Sequence, residues 1–202
     1  MNIGLIGRAR VGKDTVGAWL TQNRGYERVA FADPLKAAAL KLDPIVLAED
    51  ERIDWQAGHL SLAEAVAARG WERAKDELPE VRRILQELGA AMRTVDSEIW
   101  LRAALARVDE VNRTTGRPAV ITDVRYPNEA ASLKRSGFKL IHIDRPGIEH
   151  LAHESEGALG PEDAHYMIRN GGSFDVLFAQ LRVITDEITA IESARHYARS
   201  LS

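Results

Sequence analysis

Gly7-Arg8-Ala9-Arg10-Val11-Gly12-Lys13-Asp14-Thr15 is the stretch whose residue types and spacing point most directly to chemistry. G-x-x-x-x-G-K suits a loop that holds the phosphates of a nucleoside triphosphate. Its glycines let backbone N–H groups turn inward, a helix N-terminus adds partial positive charge, and the Lys13 ammonium reaches the outer phosphates. Arg8 and Arg10 add cations to the same loop. The residue after the lysine, where a Ser or Thr would meet Mg²⁺, is Asp14, and the hydroxyl follows at Thr15. Thr15 can meet the metal or its water alone, Asp14 can add a hard oxygen ligand, Asp14 can accept a proton from a second substrate, or Asp14 can simply complement the helix dipole.

A second set lies further along. Ala119-Val120-Ile121-Thr122-Asp123 is a nearly continuous apolar run ending in an acid, the pattern of a buried parallel strand, and Asp123 stands where such sites hold the water shell of Mg²⁺. Arg125 and Glu129 follow at the mouth of the same crevice. Asp33 and Lys36 fall at the end of another expected strand, Arg28 to Ala32, where ligands of open α/β sheets sit, with a capping role for Asp33 as the alternative. Between Arg145 and Glu162 periodicity is lost around His150, His153, Glu154 and Glu156. Zinc is disfavoured there by the lack of an H-x-x-x-H frame and of cysteines, and a flap over the phosphates is the preferred expectation over a plain surface loop.

The elements that must position these groups are legible from pattern. Ile3 to Ile6 reads as a strand and Val16 to Gln22 as a helix. Pro34 suits the first turn of a helix over Leu35 to Leu42, with Asp33 as its cap. From Asp43 to Leu78 the chain is irregular and charged, with a helical stretch near Leu62 to Arg69, which suggests an insertion rather than central sheet. Pro79 opens a stronger helix with Val81, Ile84, Leu85, Leu88 and Met92 at helical spacing, and its Arg82 and Arg83 are expected to be solvated or salt-bridged. Asp96 or Ser97 can cap a helix from Glu98, Pro127 starts another, Phe138 to Ile143 and Tyr166 to Ile168 read as strands, and Ser173 caps a last helix with Phe174, Leu177, Phe178, Leu181, Ile184, Ile188 and Ile191 as its core stripe.

With 202 residues, 45% apolar and 28% charged, the chain has the makings of one α/β domain with a sizeable core. A net charge of −3 gives no global attraction for nucleic acid or anionic membrane, and the absence of cysteine excludes disulfides and thiolate metal sites. No secretory signal or spanning apolar run is expected, which fits a cytoplasmic protein; a homodimer stays open.

Taken together, the GKDT ending of the loop, Phe31-Ala32-Asp33-Pro34-Leu35-Lys36, Leu85-Gln86-Glu87-Leu88-Gly89 followed by Arg93 and Trp100, Asp123-Val124-Arg125-Tyr126-Pro127-Asn128-Glu129, and His153-Glu154-Ser155-Glu156 resemble the bacteriophage deoxynucleoside monophosphate kinases. The resemblance runs, with gaps, to about Leu177, and is weakest from Asp43 to Leu78. It implies a P-loop kinase fold, α/β in three layers with a central five-stranded parallel sheet, as a single domain over 1–202 with a helical acceptor-side insertion at 43–95 and a lid at 145–163. The implied reaction moves the γ-phosphoryl of ATP, with Mg²⁺, to a deoxynucleoside monophosphate. Gly7, Arg8, Arg10, Gly12, Lys13, Asp14 and Thr15 would serve ATP, with Thr15 and Asp123 toward the metal. Asp33, Lys36, Arg93, Trp100, Arg125 and Glu129 would line the acceptor site, Arg145 would open the lid, and Asn170 and Gly171 would approach adenine. Lys13, Asp14, Arg125 and Arg145 are the expected catalytic set. Rival expectations are a small-molecule kinase acting on dephospho-coenzyme A or a phosphorylated alcohol, and a nucleotide-dependent switch or assembly ATPase.

Overall fold

A computed structural model describes residues 1–46, 60–147 and 158–200. The chain divides into two compact units, Met1–Ala30 with Leu105–Ser202, and Phe31–Ala104.

The first unit is built on a five-stranded parallel sheet. Its strands are β1 (Ile3–Ile6), β2 (Glu27–Val29), β5 (Ala119–Val124), β6 (Lys139–Asp144) and β7 (Tyr166–Arg169), and their order across the sheet is β2-β5-β1-β6-β7. All four residues of β1 are buried, as a central strand covered on both faces requires. On one face Ile3, Leu5, Val120, Ile141, Ile143 and Ile168 pack with Trp19 and Leu20 of α1 (Lys13–Arg24) and with Leu177, Leu181, Ile184 and Ile188 of α7 (Phe174–Ser200). Of the expected α7 stripe, Leu177, Leu181, Ile184 and Ile188 are buried and Phe178 packs against them, while Phe174 is 65% exposed and stacks on Phe178 and Ile191 is only half-buried. Helix α1 lies close on β5: a Cβ at Gly17 would stand 2.7 Å from Thr122. Helix α6 (Pro127–Arg135) starts at the expected proline.

One irregularity falls beside the candidate site. Gly4 pairs with Ile121 but Ile6 with Val124, so β5 carries one residue more than β1 across Thr122 and Asp123. A bulge of this kind bends the strand end and re-aims the side chains on it.

The second unit is mostly helical. Helices α2 (Ala32–Leu42), α3 (Leu62–Glu77) and α4 (Pro79–Val95) bury Ala39, Leu62, Ala65, Ala74 and Val81 with Val46 in one cluster. A two-stranded antiparallel pair, β3 (Ile45–Val46) with β4 (Leu60–Ser61), joins them. Helix α5 spans Ile99–Thr115. Helix α3 starts where expected, at Leu62, behind a reciprocal capping box of Ser61 and Glu64, but is longer than expected because it continues through a kink at Gly70 to Glu77. Helix α2 begins three residues early: Ala32 is its first residue, which ends β2 at Val29, and Phe31 is its cap position with no side-chain bond. Asp33 is thus not the cap but an acid in the first helical turn.

Candidate phosphate-transfer site

The loop between β1 and α1 is shaped by two glycines. Gly7 has φ +144 and a Cβ there would stand 2.4 Å from the carbonyl of Ile143; Gly12 has φ +104 and serves as the cap position of α1 without any side-chain cap. Helix α1 starts at Lys13, three residues before the apolar pattern alone suggested, so Lys13, Asp14 and Thr15 make up its first turn. A helix N-terminus without a side-chain cap presents backbone N–H groups to an anion. The Lys13 ammonium donates to the carbonyls of Gly7 at 2.5 Å and Arg8 at 2.6 Å, arching back over the loop. Arg8 lies 3.4 Å from the Asp144 carboxylate at the end of β6. Arg10, exposed, has φ +63, a backbone conformation L residues seldom adopt.

The β1 and β5 ends open on one cavity. Ile6, Gly7, Arg8, Lys13, Val124, Arg125 and Leu159 line it. Lys13 and Arg125, 112 positions apart, thus face a common space. Asp123 is half-buried just before Val124. Glu129 is buried, and its carboxylate accepts from the backbone N–H of Arg125 at 2.8 Å and of Tyr126 at 3.0 Å. Its observed work is to close the turn that carries Arg125.

His142 of β6 stands in register with Ile6. Its buried Nδ1 has no hydrogen-bond partner among the described residues, and burial pushes the imidazole below its ordinary value against the pull of Asp144 and Glu162, with Arg8 and Lys13 adding to the depression. His165 is structural: its Nδ1 accepts from the Leu140 N–H at 3.0 Å, and burial with Lys139 and Lys134 nearby lowers its pKa.

In the second unit Lys36 lies over the Trp71 ring at 5.4 Å, and Arg93 is half-buried near Gly89. Trp100 is only 6% exposed and donates from Nε1 to the carbonyl of Gly89 at 3.3 Å, so the structure packs it as an anchor of α4. Arg145 and Gly171 are exposed in turns beyond β6 and β7. Asn170 directs its side chain into the phosphate loop, donating to the carbonyl of Val11 at 2.8 Å, a contact across 159 positions that nothing local in the sequence signals. His150, His153, Glu154 and Glu156, with most of the expected lid, lie outside the described residues.

Among the described residues no cluster of three or more His, Cys, Asp or Glu could hold a metal, and no helix is long and apolar enough to cross a membrane. Thr15 in the first turn of α1 and Asp123 near the end of β5 are oxygen donors of the kind Mg²⁺ takes, an ion that keeps several waters and leans on phosphate oxygens rather than on a protein cage.

A loop shaped by glycines between the central strand and first helix of a five-stranded parallel sheet is the P-loop arrangement, and the family matches make it that of a kinase, a phosphotransferase. The family model for deoxynucleotide monophosphate kinase matches residues 72–181, and a putative deoxynucleotide monophosphate kinase of Acanthamoeba polyphaga mimivirus is 31% identical over 156 residues, 72% of this chain and 75% of that protein. The chain belongs to the deoxynucleotide monophosphate kinase family. The deoxynucleotide monophosphate kinase of Enterobacteria phage T4 is 29% identical over 106 residues, 50% of this chain and 44% of the phage protein. A dephospho-CoA kinase from Campylobacter jejuni aligns over 95% of this chain and 98% of its own at 14% identity and a TM-score of 0.48.

Proposed function

We propose that the chain transfers the γ-phosphoryl group of ATP to a deoxynucleoside 5'-monophosphate, giving the diphosphate and ADP. The observation that carries this reading is the common cavity of Lys13 and Arg125: one cation belongs to the phosphate loop and the other to a separate strand end, as two phosphorylated substrates require. Phosphoryl transfer asks for alignment and for positive charge around the moving group more than for covalent chemistry. Lys13 and the loop's N–H groups hold the donor's outer phosphates, with Arg8 and Arg10 beside them. Arg125 holds the acceptor phosphate, which is already an anion, so Asp14 has a positioning role rather than that of a base. Arg145 adds charge from its turn. Thr15 and Asp123 would hold Mg²⁺, which when bound neutralises phosphate charge.

In the same reading Asp33, Lys36 and Arg93 serve the acceptor, an assignment that rests on the resemblance of their motifs. Glu129 and Trp100 are assigned to the acceptor on the same resemblance, and Glu129 also orders the turn that carries Arg125. Residues 1–202 act as one kinase domain, with free nucleotides as its small-molecule partners and the cytoplasm, that of a host cell if the chain is phage-encoded, as its place of action. The test is an acceptor screen: all deoxy and ribo monophosphates, dephospho-coenzyme A and a no-acceptor control, each with ATP and Mg²⁺, read as ADP formed. Turnover confined to one or more deoxynucleotides is expected. Turnover with dephospho-coenzyme A alone, or hydrolysis that ignores every acceptor, would overturn the assignment.

A further inference from the structure

The phosphate loop is held from the sheet side by residues that follow it in the sequence by more than a hundred positions. Asn170, immediately after β7, donates from Nδ2 to the Val11 carbonyl at 2.8 Å, and its own backbone N–H donates to the Asp144 carbonyl at 2.7 Å. The side-chain amide is therefore carried on the joined ends of β6 and β7. It also approaches the next residue closely: a Cβ on Gly12 would stand 2.6 Å from Asn170 Nδ2. A trans peptide points its C=O and N–H in opposite directions, so holding the Val11 carbonyl on Asn170 turns the N–H of Gly12 to the far side of the loop strand. The opposite rim is fixed by Lys13 on the carbonyls of Gly7 and Arg8.

We infer that Asn170 is a positioning residue of the phosphate loop: its amide fixes the Val11–Gly12 peptide and so sets the N–H groups that receive a polyphosphate, whatever base that polyphosphate carries. This differs from contact with adenine, the role the family resemblance implies for Asn170, and it rests on the loop's reading as the donor site. Binding of ATP, GTP and inorganic tripolyphosphate to the full chain and to its Asn170→Ala and Asn170→Asp variants, measured by titration calorimetry, separates the two. Asn170→Ala weakens all three ligands by a similar factor, about tenfold for a hydrogen bond of ordinary strength. Asn170→Asp weakens them more, because a carboxylate of the same size offers no donor to the Val11 carbonyl, and the monophosphate KM stays unchanged in both. Should Asn170→Ala fail to fold, Asn170→Asp carries the test by itself. A loss confined to ATP, or no loss with any of the three, overturns this inference alone. Failure of the unmodified chain to bind any of them overturns the donor role of the loop as well.

Discussion

Arg83 in the middle of one helix surface and Lys13 at the start of another are both cations on amphipathic helices, yet they are held in opposite ways. Arg83 pairs with Glu80 and with Glu87 (2.7 Å) three and four residues away, and around it Arg73 pairs with Glu77 at 2.9 Å and Arg82 with Asp76 at 3.1 Å, all of them largely exposed. Lys13 meets backbone carbonyls of a part-buried loop whose far side is tied to Asn170. Exposed pairs of the first kind give back in side-chain entropy and screening most of what attraction supplies. The second kind fixes backbone groups that have no other way of being oriented. The arginine-rich composition therefore says little about where function lies; what distinguishes the site is cations and carboxylates bonded to backbone at strand ends.

The largest effect that would follow from this contrast is at Lys13. Lys13→Ala should lower kcat by a factor on the order of a thousand, as expected for a preorganised cation at a transferring phosphoryl, while circular dichroism and the thermal midpoint stay close to those of the parent chain. Near-parental turnover would remove the loop from the chemistry. Arg125→Ala should raise the monophosphate KM about ten- to a hundredfold, the loss of one charge-assisted contact, with ATP affinity preserved. An equal loss of ATP affinity would place Arg125 on the donor side of the cavity instead.

Glu129 sharpens the comparison, because it is a buried carboxylate that bonds backbone rather than a cation. Glu129→Ala strands the N–H groups of Arg125 and Tyr126 and should cost about 1–3 kcal/mol in urea unfolding, with Glu129→Gln recovering part of it. If Glu129 instead bound the acceptor directly, the alanine variant would lose monophosphate affinity with no loss of stability.

Much of this was written in local pattern. The β1–loop–α1 unit, the proline starts of α4 and α6, β5 with its terminal acid, and the exposed pairing of Arg82 and Arg83 follow from spacing, caps and periodicity, which are properties of neighbouring residues. What escaped was decided at long range. The Asn170 to Val11 bond and the extra residue of β5 at Thr122 and Asp123 depend on which strands lie side by side, and no short window contains that information. Trp100 and Glu129 each make a structural bond that their motifs do not announce, one to the Gly89 carbonyl and the other to the N–H groups of Arg125 and Tyr126. The far half of α3 was a different kind of miss: its start at Leu62 was legible, but the helix runs on to Glu77 through a kink at Gly70, a residue that more often ends a helix than interrupts one.

A smaller effect is expected at His142. Burial holds its folded-state pKa below the ordinary 6.5, so the folded protein resists protonation that the unfolded chain accepts. Its contribution is fully present above pH 6.5 and is lost as the pH falls from there through the lower folded value. Stability should therefore decline on mild acidification, and His142→Asn should flatten part of that decline; His165, depressed in the same direction, leaves a residual slope. Protonation would also add a cation beside Arg8 and Lys13, although Asp144 and Glu162 oppose that cost. A pH profile of stability unchanged by the substitution would show that the buried Nδ1 is not titrating in this range.

The smallest effect belongs to Arg83. Its guanidinium is held firmly protonated by Glu80 and Glu87, and Glu80 is in turn kept below the usual carboxylate range, yet all these groups stand in solvent where such mutual shifts are screened. Arg83→Ala should leave kcat, both KM values and the thermal midpoint at parental values in 0.15 M salt, with at most a slight loss at low ionic strength as α4 gives up its i,i+3 and i,i+4 partners. A clear rise in the monophosphate KM would break the comparison at its weaker side, because an exposed, locally paired arginine would then be reaching substrate. The same substitution made together with Arg125→Ala distinguishes the two outcomes: independent sites give additive changes, whereas a shared phosphate gives a double variant little worse than Arg125→Ala.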